Sequence, residues 1–315
     1  MTDLPADIDR FSIPERCRVL VFTSPNAGSG KGRDQIPRFV ELLQQSGVDA
    51  RVTHQVNELQ ELSAVPPDSQ VIIVPAGGDG TLSLASAAVS KSIDSDGNLP
   101  LIAPLPLGTE NLLARHFGHT SRAEELIQTI RFGSCYRLDA GTANDSPFLI
   151  MASCGFDAEV VRGMHLTRRG HIQRLSYFGP IMRAMRHYPF PELAVRIDNG
   201  DTLECRWAMV FNLPCYGGGL KIEPNAIGND GLFDVILFRK GSIPSGIGYV
   251  TSIWTGTHLK RQDVVRLRGR RVEIRSSGRV PYQLDGDYAG KIPLRIEMHP
   301  GFVQLLVPSK QAAVA

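Results

Sequence analysis

The alternation of hydrophobic and polar positions predicts different architectures for the two halves of the chain. Up to about residue 140, short β-branched runs such as 18–24 (RVLVFTS) and 71–76 (VIIVPA) have the pattern of buried strands. Between these runs, four apolar residues recur with the spacing of one helix face: Ile36, Phe39, Val40 and Leu43. Gly47 follows as a helix terminator. This order predicts an α/β fold with a parallel sheet and crossover helices.

Two further signals extend the α/β pattern through the first half. Ser121 and Glu124 have the spacing of a capping box, which predicts the start of a helix that Gly133 closes. The run 101–105 (LIAPL) supplies another strand.

After about residue 140 the pattern changes to short strands at close spacing. Seven segments alternate as strands do: 193–198, 207–213, 232–238, 271–276, 282–287, 294–298 and 302–307. Two helical inserts interrupt them, near 157–187 and 242–258. The second half therefore predicts a β-rich domain.

Composition and charge exclude several classes of protein. At roughly 150 residues per domain, the 315 residues suffice for about two domains. Hydrophobic residues make up 42% and charged residues 21%, which argues against a wholly disordered, collagenous or coiled-coil chain. The formal net charge of +2 gives no overall basic field, so we predict no nucleic-acid partner.

Cysteine usage and hydropathy favour the cytoplasm. The five cysteines are odd in number and lack C-x-x-C spacing, which indicates neither a disulfide framework nor a zinc site. The N-terminal segment 1–10 has no signal-peptide pattern. The longest apolar stretch, 99–107, contains three prolines and is far shorter than the ~20 residues of a membrane helix. Any contact with a membrane is therefore expected to be peripheral, at the inner face of the membrane.

Glycine is over-represented and clusters in loops. A usual share of ~7% corresponds to about 22 glycines in a chain of this length, whereas this chain has 31. The loop 77–81 (GGDGT) follows a buried strand and opens a helix, an arrangement that brings backbone N–H groups close to a phosphate. Because Asp79 repels a bare phosphate, Mg²⁺ or a nucleophilic hydroxyl is implied there. An ordinary βα turn without a ligand remains the alternative.

Two more strand-to-helix turns carry candidate phosphate ligands. The loop 24–33 (SPNAGSGKGR) is not a Walker A sequence, but its Gly28, Gly30 and Lys31 could hold phosphates together with Arg33. A solvated turn is the alternative. The third turn lies in 104–118 (PLPLGTENLLARHFG), with Gly108, Thr109 and Asn111 at its apex.

These motifs together resemble the diacylglycerol kinase catalytic-domain family, which includes bacterial lipid kinases and the sphingosine and ceramide kinases. GGDGT is followed about 25 residues later by PLGTEN. Four later segments match in order: LDAGTAN (138–144), CGFDAEVV (154–161), YGGGLKIEPNAIGNDGLFDVIL (216–237) and YQLDGD (282–287). The resemblance covers about 17–308. GGDGT alone is shared with NAD kinases, but the joint set is specific.

The resemblance implies a Rossmann-like N-terminal nucleotide-binding domain, similar to those of NAD kinase and phosphofructokinase, and a C-terminal β-sandwich. The expected domains are 16–140 plus 300–310 for ATP and 141–299 for the lipid substrate, after a flexible tail at 1–15. The last strand would return to the first domain, and ATP and lipid would meet in the cleft. The ATP residues implied by the family motif are Thr53, Gly77, Gly78, Asp79, Gly80, Thr81 and Thr109.

The family also implies a metal site and a catalytic segment. A structural Mg²⁺ would be held by the Asp230 carboxylate and by the backbone carbonyls of Ile227 and Leu232. The family's D-G-E segment, whose Glu takes the proton of the lipid hydroxyl, corresponds to Asp285-Gly286-Asp287. Asp287 is then the general base, and Asp79 and Asp285 are further catalytic candidates. Asp-Gly between alternating strands is equally a hairpin signal.

Several positions depart from the family pattern. Asp287 replaces Glu, Leu112 replaces Asp, Ser24 replaces Asn, and Ser83 and Leu84 follow GGDGT where Asn and Glu are common. The expected activity is ATP- and Mg²⁺-dependent phosphorylation of a diacylglycerol-like or sphingoid lipid. The alternatives are an NAD kinase-like enzyme and a catalytically impaired homologue that binds nucleotide or lipid.

Two basic segments are candidate interaction surfaces. The segment 160–190 has no acidic residue and six arginines among apolar side chains, so it could dock on an anionic membrane or form a solvated helix packed on the sandwich. The run 258–279 alternates as strands do and is predicted to be a hairpin with a charged outer face. It lacks the interleaved aromatics of a single-strand nucleic-acid site. A homodimer is a further option.

Overall fold

The computed structural model describes residues 9–10, 17–24, 32, 34–66, 69–90, 99–167, 186 and 188–309. The chain divides into two compact units, Met1–Leu138 with Gly301–Ala315 and Asp139–Pro300. Of the predicted tail at 1–15, only the backbone of Asp9–Arg10 is described, and it pairs with Ser134 and Cys135. The rest of that prediction lies outside the described residues.

The secondary structure follows the predicted change from mixed to β-rich. The first part contains β1 (Asp9–Arg10), β2 (Cys17–Phe22), α1 (Gln35–Gln45), β3 (Asp49–Thr53), α2 (Val56–Leu62), β4 (Gln70–Gly77), α3 (Asp79–Ser90), β5 (Leu101–Ile102), β6 (Leu105–Pro106), α4 (Leu112–His116), α5 (Ala123–Phe132) and β7 (Ser134–Ala143). The second part contains β8 (Ser146–Phe148), β9 (Met151–Cys154), α6 (Phe156–Thr167), β10 (Leu193–Ile197), β11 (Thr202–Cys205), β12 (Trp207–Phe211), β13 (Phe233–Phe238), α7 (Ile243–Trp254), β14 (Val264–Gly269), β15 (Arg271–Arg275), β16 (Pro281–Leu284), β17 (Asp287–Lys291) and β18 (Leu294–Val307).

The N-terminal unit is a doubly wound α/β domain. Its sheet has the order β18–β5–β4–β2–β3 with parallel pairs throughout, and β6 also pairs with β4 in parallel. One face packs on α1 and α5 through buried residues such as Phe39 and Ile130. The other face packs on α2 and α3 through Leu59 and Ala88. Such folds bind ligands beyond the carboxyl ends of their strands.

The second unit is a β-sandwich built from antiparallel pairs. One sheet has the order β14–β13–β12–β9–β16–β17, and the other contains β11, β10, β15 and the first part of β18. Inward residues of both sheets form one core, in which Val210 and Leu237 join Val195 and Ile274. The two predicted strands 294–298 and 302–307 are one strand, β18, which pairs with β15 in this unit and with β5 in the first. The predicted fold class, including the returning last strand, is confirmed.

Two local predictions are wrong for identifiable reasons. Ser121 does not cap α5, because the Gln35 side chain accepts the first helical N–H, that of Ala123, at 3.0 Å. The run 258–279 is not a hairpin: β14 pairs with β13, whereas the next strand, β15, pairs with β10 and β18. Alternating sequence predicts strands but does not specify their partners.

Candidate functional site

The predicted ATP residues lie at the carboxyl ends of strands in one parallel sheet. Thr53 ends β3, Gly77 ends β4, and Gly108 comes two residues after β6. The backbone N–H of Leu107 donates to the Gly77 carbonyl oxygen at 2.8 Å, so the turns after β4 and β6 lie side by side. The carboxyl edge of the sheet thereby brings together two of the three turns that were selected separately from the sequence.

Gly78 and Gly108 bring these two turns into backbone contact. A Cβ at Gly108 would lie 2.5 Å from the Cα of Gly78 and 2.7 Å from Asn111 Oδ1. A Cβ at Gly78 would lie 3.5 Å from the Cα of Gly108, which is an ordinary contact. Only glycine at position 108 permits this approach, and it leaves a wall of backbone groups at the start of α3.

The Asp79 carboxylate joins the GGDGT loop to the third turn. It accepts the backbone N–H groups of Leu112 at 3.0 Å and Leu113 at 3.2 Å, the first two residues of α4. Burial raises the pKa of Asp79, an effect that these two hydrogen bonds oppose. Both oxygens are therefore occupied in holding a helix N-terminus, and the catalytic assignment of Asp79 stays a prediction.

Asn111 closes the third turn from within. Its side chain donates to the Gly108 carbonyl oxygen at 2.8 Å, and its Oδ1 accepts the Gly108 N–H at 3.0 Å. Its φ of 50° lies in the left-handed region, which Asn tolerates better than most residues. This buried amide shapes the turn, whereas neighbouring Thr109 is exposed.

The remaining predicted ATP residues differ in their surroundings. Gly80 is exposed and Thr81 is buried. The Thr53 hydroxyl is buried and donates to Glu58 Oε2 at 2.5 Å, which lowers the pKa of Glu58. Gly28, Gly30 and Lys31 lie outside the described residues. Gly32 of the same loop is described, and a Cβ there would lie 3.0 Å from Leu107 Cδ2, beside the third turn.

In the second unit, the predicted D-G-D segment is a tight hairpin. β16 and β17 pair with Leu284 opposite Asp287, and the intervening Asp285 and Gly286 have φ of 49° and 90°. This confirms the hairpin signal, because two residues with positive φ are typical of such turns.

The two aspartates of this hairpin have different surroundings. The Asp285 carboxylate accepts the backbone N–H groups of Leu149, Ile150 and Met151 at 2.8–2.9 Å, so it anchors the turn on buried backbone. Asp287 is exposed at the start of β17. Asp285 is thus placed as a structural anchor, and Asp287 is accessible to a substrate.

A buried network of polar side chains is hydrogen-bonded to the turn between β16 and β17. The sequence analysis did not predict this network. Asp157, at the start of α6, accepts hydrogen bonds from the hydroxyls of Ser153 and Tyr216 and from Gln283 Nε2, the last at 3.2 Å. Gln283 Oε1 accepts the Gly286 N–H at 2.8 Å. The matching segments CGFDAEVV and YGGGLKIEP contain Asp157 and Tyr216, but nothing in either segment indicates that they meet.

We predict that Asp157 contributes a pH-dependent part of the stability of this unit. Burial raises its pKa above the ordinary value of about 3.9, although three hydrogen bonds oppose the shift. A raised pKa in the folded state stabilises the fold below the unfolded pKa and loses that contribution as pH rises through the folded pKa. The free energy of unfolding of wild type relative to Asp157→Asn should therefore fall as pH rises above about 4.

Urea unfolding at a series of pH values measures this difference. Asp145→Asn, which removes an exposed carboxylate from the same unit, is the matched control. Parallel stability curves for wild type and Asp157→Asn would contradict the prediction.

The predicted metal ligands lie beside a chain of ion pairs. Arg266 lies 2.6 Å from Glu223 Oε2 and 3.0 Å from Asp234 Oδ1, and Arg268 bridges Asp234 and Asp230. Burial raises the pKa of both Glu223 and Asp234. The basic run 258–279 thus uses two of its arginines to neutralise buried carboxylates.

This arrangement does not suit a Mg²⁺ ion at Asp230. One oxygen of Asp230 is paired with Arg268, and the other accepts the Leu232 N–H at 3.1 Å. Mg²⁺ requires oxygen ligands in an octahedral array, and a guanidinium already neutralises this carboxylate. In the described ranges, no group of three or more His, Cys, Asp or Glu gathers as a metal cluster. The Mg²⁺ assignment to Ile227, Asp230 and Leu232 stays a prediction, and no catalytic step depends on it.

Two family profiles match the chain. The diacylglycerol kinase catalytic domain matches 18–143, and the YegS C-terminal NAD kinase beta sandwich-like domain matches 150–307. The diacylglycerol kinase of Bacillus subtilis (strain 168) is 22% identical over 304 residues, covering 94% of this chain and 98% of the relative. The diacylglycerol kinase of Mycobacterium tuberculosis (strain ATCC 25618 / H37Rv) is 27% identical over 303 residues, covering 92% and 95%.

The solved structures agree with the fold. A crystal structure of a diacylglycerol kinase from Bacillus anthracis str. Sterne is similar with a TM-score of 0.69 at 20% identity, covering 94% of this chain and 98% of that one. The resemblance drawn from GGDGT, PLGTEN and the later segments is confirmed. Both halves of the chain carry the domains of one family, and the chain belongs to the kinase-like diacylglycerol kinase family with a YegS-type C-terminal β-sandwich.

Proposed function

We propose that this chain is an ATP-dependent lipid kinase that transfers the γ-phosphoryl group of ATP to the hydroxyl of a diacylglycerol-like or sphingoid lipid. The observation that carries the proposal is the backbone contact of Gly78 with Gly108 at the carboxyl edge of the parallel sheet. A surface of backbone N–H groups at the start of a helix suits a triphosphate. Relatives named diacylglycerol kinase align along more than 90% of the chain, which supports the lipid acceptor.

The N-terminal unit supplies nucleotide binding in this proposal. The loop 77–81 and the turn at Gly108 and Thr109 contact the phosphates, together with Gly28, Gly30 and Lys31. Thr53 and Asn111 shape the same edge through their hydrogen bonds to Glu58 and Gly108. Asp79 holds the N-terminus of α4 and so fixes the distance between the two turns.

The second unit supplies the base. Asp287 takes the proton of the acceptor hydroxyl while that oxygen bonds to the γ-phosphorus and ADP leaves. Asp285 holds the hairpin that presents Asp287. When ATP is bound, the Mg²⁺ that comes with it would be held mainly by the phosphates and would supply charge neutralisation there. Chemistry of this kind depends on positioning and charge more than on reactive side chains, which suits glycine loops and a single carboxylate.

The decisive experiment is a product assay with labelled ATP, Mg²⁺ and a panel of extracted lipids, with NAD as an additional acceptor. The expected result is one labelled lipid phosphate. Labelled NADP would replace the proposal with an NAD kinase-like activity. Binding of ATP by folded protein with no labelled product would instead identify a catalytically impaired homologue, for which Leu84, Leu112 and Asp287 are the motivating departures.

We predict that Gly108→Ala weakens ATP binding and that Gly78→Ala does not. Both variants add one methyl to the same backbone contact, but only the methyl at position 108 overlaps the facing backbone, at 2.5 Å against 3.5 Å. Overpacking of this kind costs about 1–3 kcal/mol of folding free energy unless the two turns move apart. We expect that displacement to remove about 1.4 kcal/mol of phosphate contact, which corresponds to a tenfold loss in ATP affinity. Gly78→Ala should stay within about threefold.

Calorimetric titration with ATP, at a temperature where both variants are folded by circular dichroism, checks this prediction. Equal ATP affinities for the two variants would show that the contact between the turns does not shape the nucleotide site.

The proposed lipid acceptor also implies where in the cell the protein works. A lipid acceptor places the protein at a membrane surface, and contact through 160–190 at the inner face of the membrane remains a proposal, as does a homodimer. Of that segment, the structure describes 160–167, 186 and 188–190, where Arg162 pairs with Glu159 at 2.5 Å. Among the helices that the structure describes, none is long and apolar enough to cross a bilayer.

A further inference from the structure

Helix α7 presents an uncovered apolar face. Three of the large hydrophobic residues that the structure describes as exposed lie on it: Ile243, Ile247 and Trp254, with exposed fractions of 46%, 50% and 81%. At about 100° per residue, these three side chains and that of Val250 fall within about 60° of one another around the helix axis. The twelve-residue sequence of α7, IPSGIGYVTSIW, contains no charged residue.

Helix α7 is held in place by buried contacts and hydrogen bonds, so its exposed apolar residues form a surface of defined geometry. An adjacent side of the helix, about 100° around its axis, buries Gly246, Tyr249 and Ile253. The Tyr249 ring packs edge-on against Phe238 at 4.9 Å, and its hydroxyl accepts the Lys240 N–H at 3.0 Å. Ser242 caps the first turn by accepting the Ser245 N–H at 3.2 Å. The exposed residues are therefore not available to turn inward without unseating the helix.

Basic side chains lie beside the same helix: Arg239 and Lys240 come shortly before its first residue, and Arg261 packs on Tyr249. Arg239, Lys240 and Arg261 line one cleft of about 550 Å³ with a single carboxylate, Asp263. Arg261 pairs with Asp263 at 2.9 Å and its guanidinium lies over the Tyr249 ring, while Lys240 is only 3.8 Å from Asp263. Three cations against one anion leave this border positively charged.

A fourth basic residue, Arg206, packs against Gly241, just before α7, and forms an ion pair with Glu192. A Cβ at Gly241 would lie 2.6 Å from Arg206 Cγ, so Arg206 packs against this loop. Arg206 pairs with Glu192 at 2.8 Å. Because this ion pair has no net charge, it does not change the net positive charge of the cleft.

We propose that the apolar face of α7, with its basic border, docks this protein on a bilayer that contains anionic phospholipid. A helix with Trp and Ile on one side and cations beside it lies in the plane of the membrane interface, where Trp is favoured. The adjacent cations attract anionic headgroups. The choice of occupant rests on the proposed function, because a lipid acceptor is reached at a membrane.

Vesicle binding without nucleotide or acceptor tests the apolar contact. Wild type should sediment with vesicles of phosphatidylcholine containing about one third phosphatidylglycerol, and Trp254→Ala or Ile247→Asp should lower the partition constant about tenfold. Phe132→Ala, which removes a residue exposed to 61% in the other unit, is the matched control and should stay within about twofold.

Charge and fluorescence give independent readouts. Lys240→Glu should lower binding to the anionic vesicles about tenfold and leave binding to pure phosphatidylcholine unchanged. Arg122→Glu is the control, because both side chains are exposed to 68%. The chain has two Trp, of which Trp207 is buried, so a blue shift of emission on vesicle binding reports Trp254.

The outcomes separate this proposal from the kinase assignment. If the α7 variants sediment as wild type does, or if Ile247→Asp converts a dimer in solution into a monomer, the docking proposal is overturned. If vesicle binding depends on α7 but no lipid is phosphorylated in detergent micelles, the docking surface stands and the kinase assignment fails.

Discussion

Asp287→Asn is expected to lower the turnover number for the lipid acceptor by about 10²–10⁴-fold while leaving ATP affinity unchanged, since a positioned general base contributes that much. The amide keeps the size of the side chain but no longer accepts the proton. Because Asp287 is exposed at the start of β17, the free energy of unfolding should change by less than about 0.5 kcal/mol. Steady-state kinetics with the lipid identified in the product assay, together with urea unfolding, measure both quantities.

Two further variants make this result specific. Asp287→Glu introduces the residue that the family pattern has at this position and should retain activity. Asp201→Asn removes another exposed carboxylate from the same unit and should leave turnover at the wild-type level. Wild-type turnover in Asp287→Asn would remove Asp287 from the mechanism.

Asp285→Ala is expected to destabilise the second unit by about 3–5 kcal/mol. Its carboxylate accepts three backbone N–H groups, at Leu149, Ile150 and Met151, and these residues are buried. Each buried donor left without an acceptor costs about 1–3 kcal/mol, and part of that cost is relieved as the turn relaxes. Urea unfolding followed by tryptophan emission measures the loss, because Trp207 and Trp254 both lie in this unit and Trp207 is buried.

Asp198→Ala is the matched control for Asp285→Ala. Asp198 also has a positive φ and accepts two backbone N–H groups, those of Arg270 and Arg271, but it is exposed. Water can replace its carboxylate, so the expected loss is about 1 kcal/mol. Equal losses for the two variants would mean that burial of the 149–151 backbone does not make Asp285 an anchor.

The two aspartates of one D-G-D segment therefore have different surroundings: Asp285 anchors the turn, and Asp287 is exposed and is the residue we propose as the base. The sequence predicts the hairpin, because a two-residue turn between strands requires positive φ at both residues, and Asp-Gly is one of the pairs that adopts it. The resemblance to the family predicts the general base at Asp287, with Asp285 as a further catalytic candidate. Only the contacts of Asp285 with residues 134–136 positions away show that it anchors the turn.

Contacts between residues far apart in the sequence also explain the polar network that was not predicted and the helix cap that was predicted wrongly. Asp157 meets Gln283 across 126 positions of sequence and Tyr216 across 59, and no local pattern connects them. The Gln35 side chain, 88 positions away, replaces Ser121 as the acceptor at the start of α5. Polar side chains find partners by tertiary proximity, whereas helix and strand periods depend on neighbours along the chain.

The sequence by itself determined the order of strands and helices, the change from α/β to β-rich at about residue 140, and the glycine loops after parallel strands. Those features depend on period and on backbone freedom, which are local. The tertiary structure decided that Gly108 must be glycine, that Asp79 holds a helix N-terminus, and that β14 and β15 belong to different sheets. It also left Trp254 outside the core, because the burial of a residue depends on what the rest of the chain packs against it.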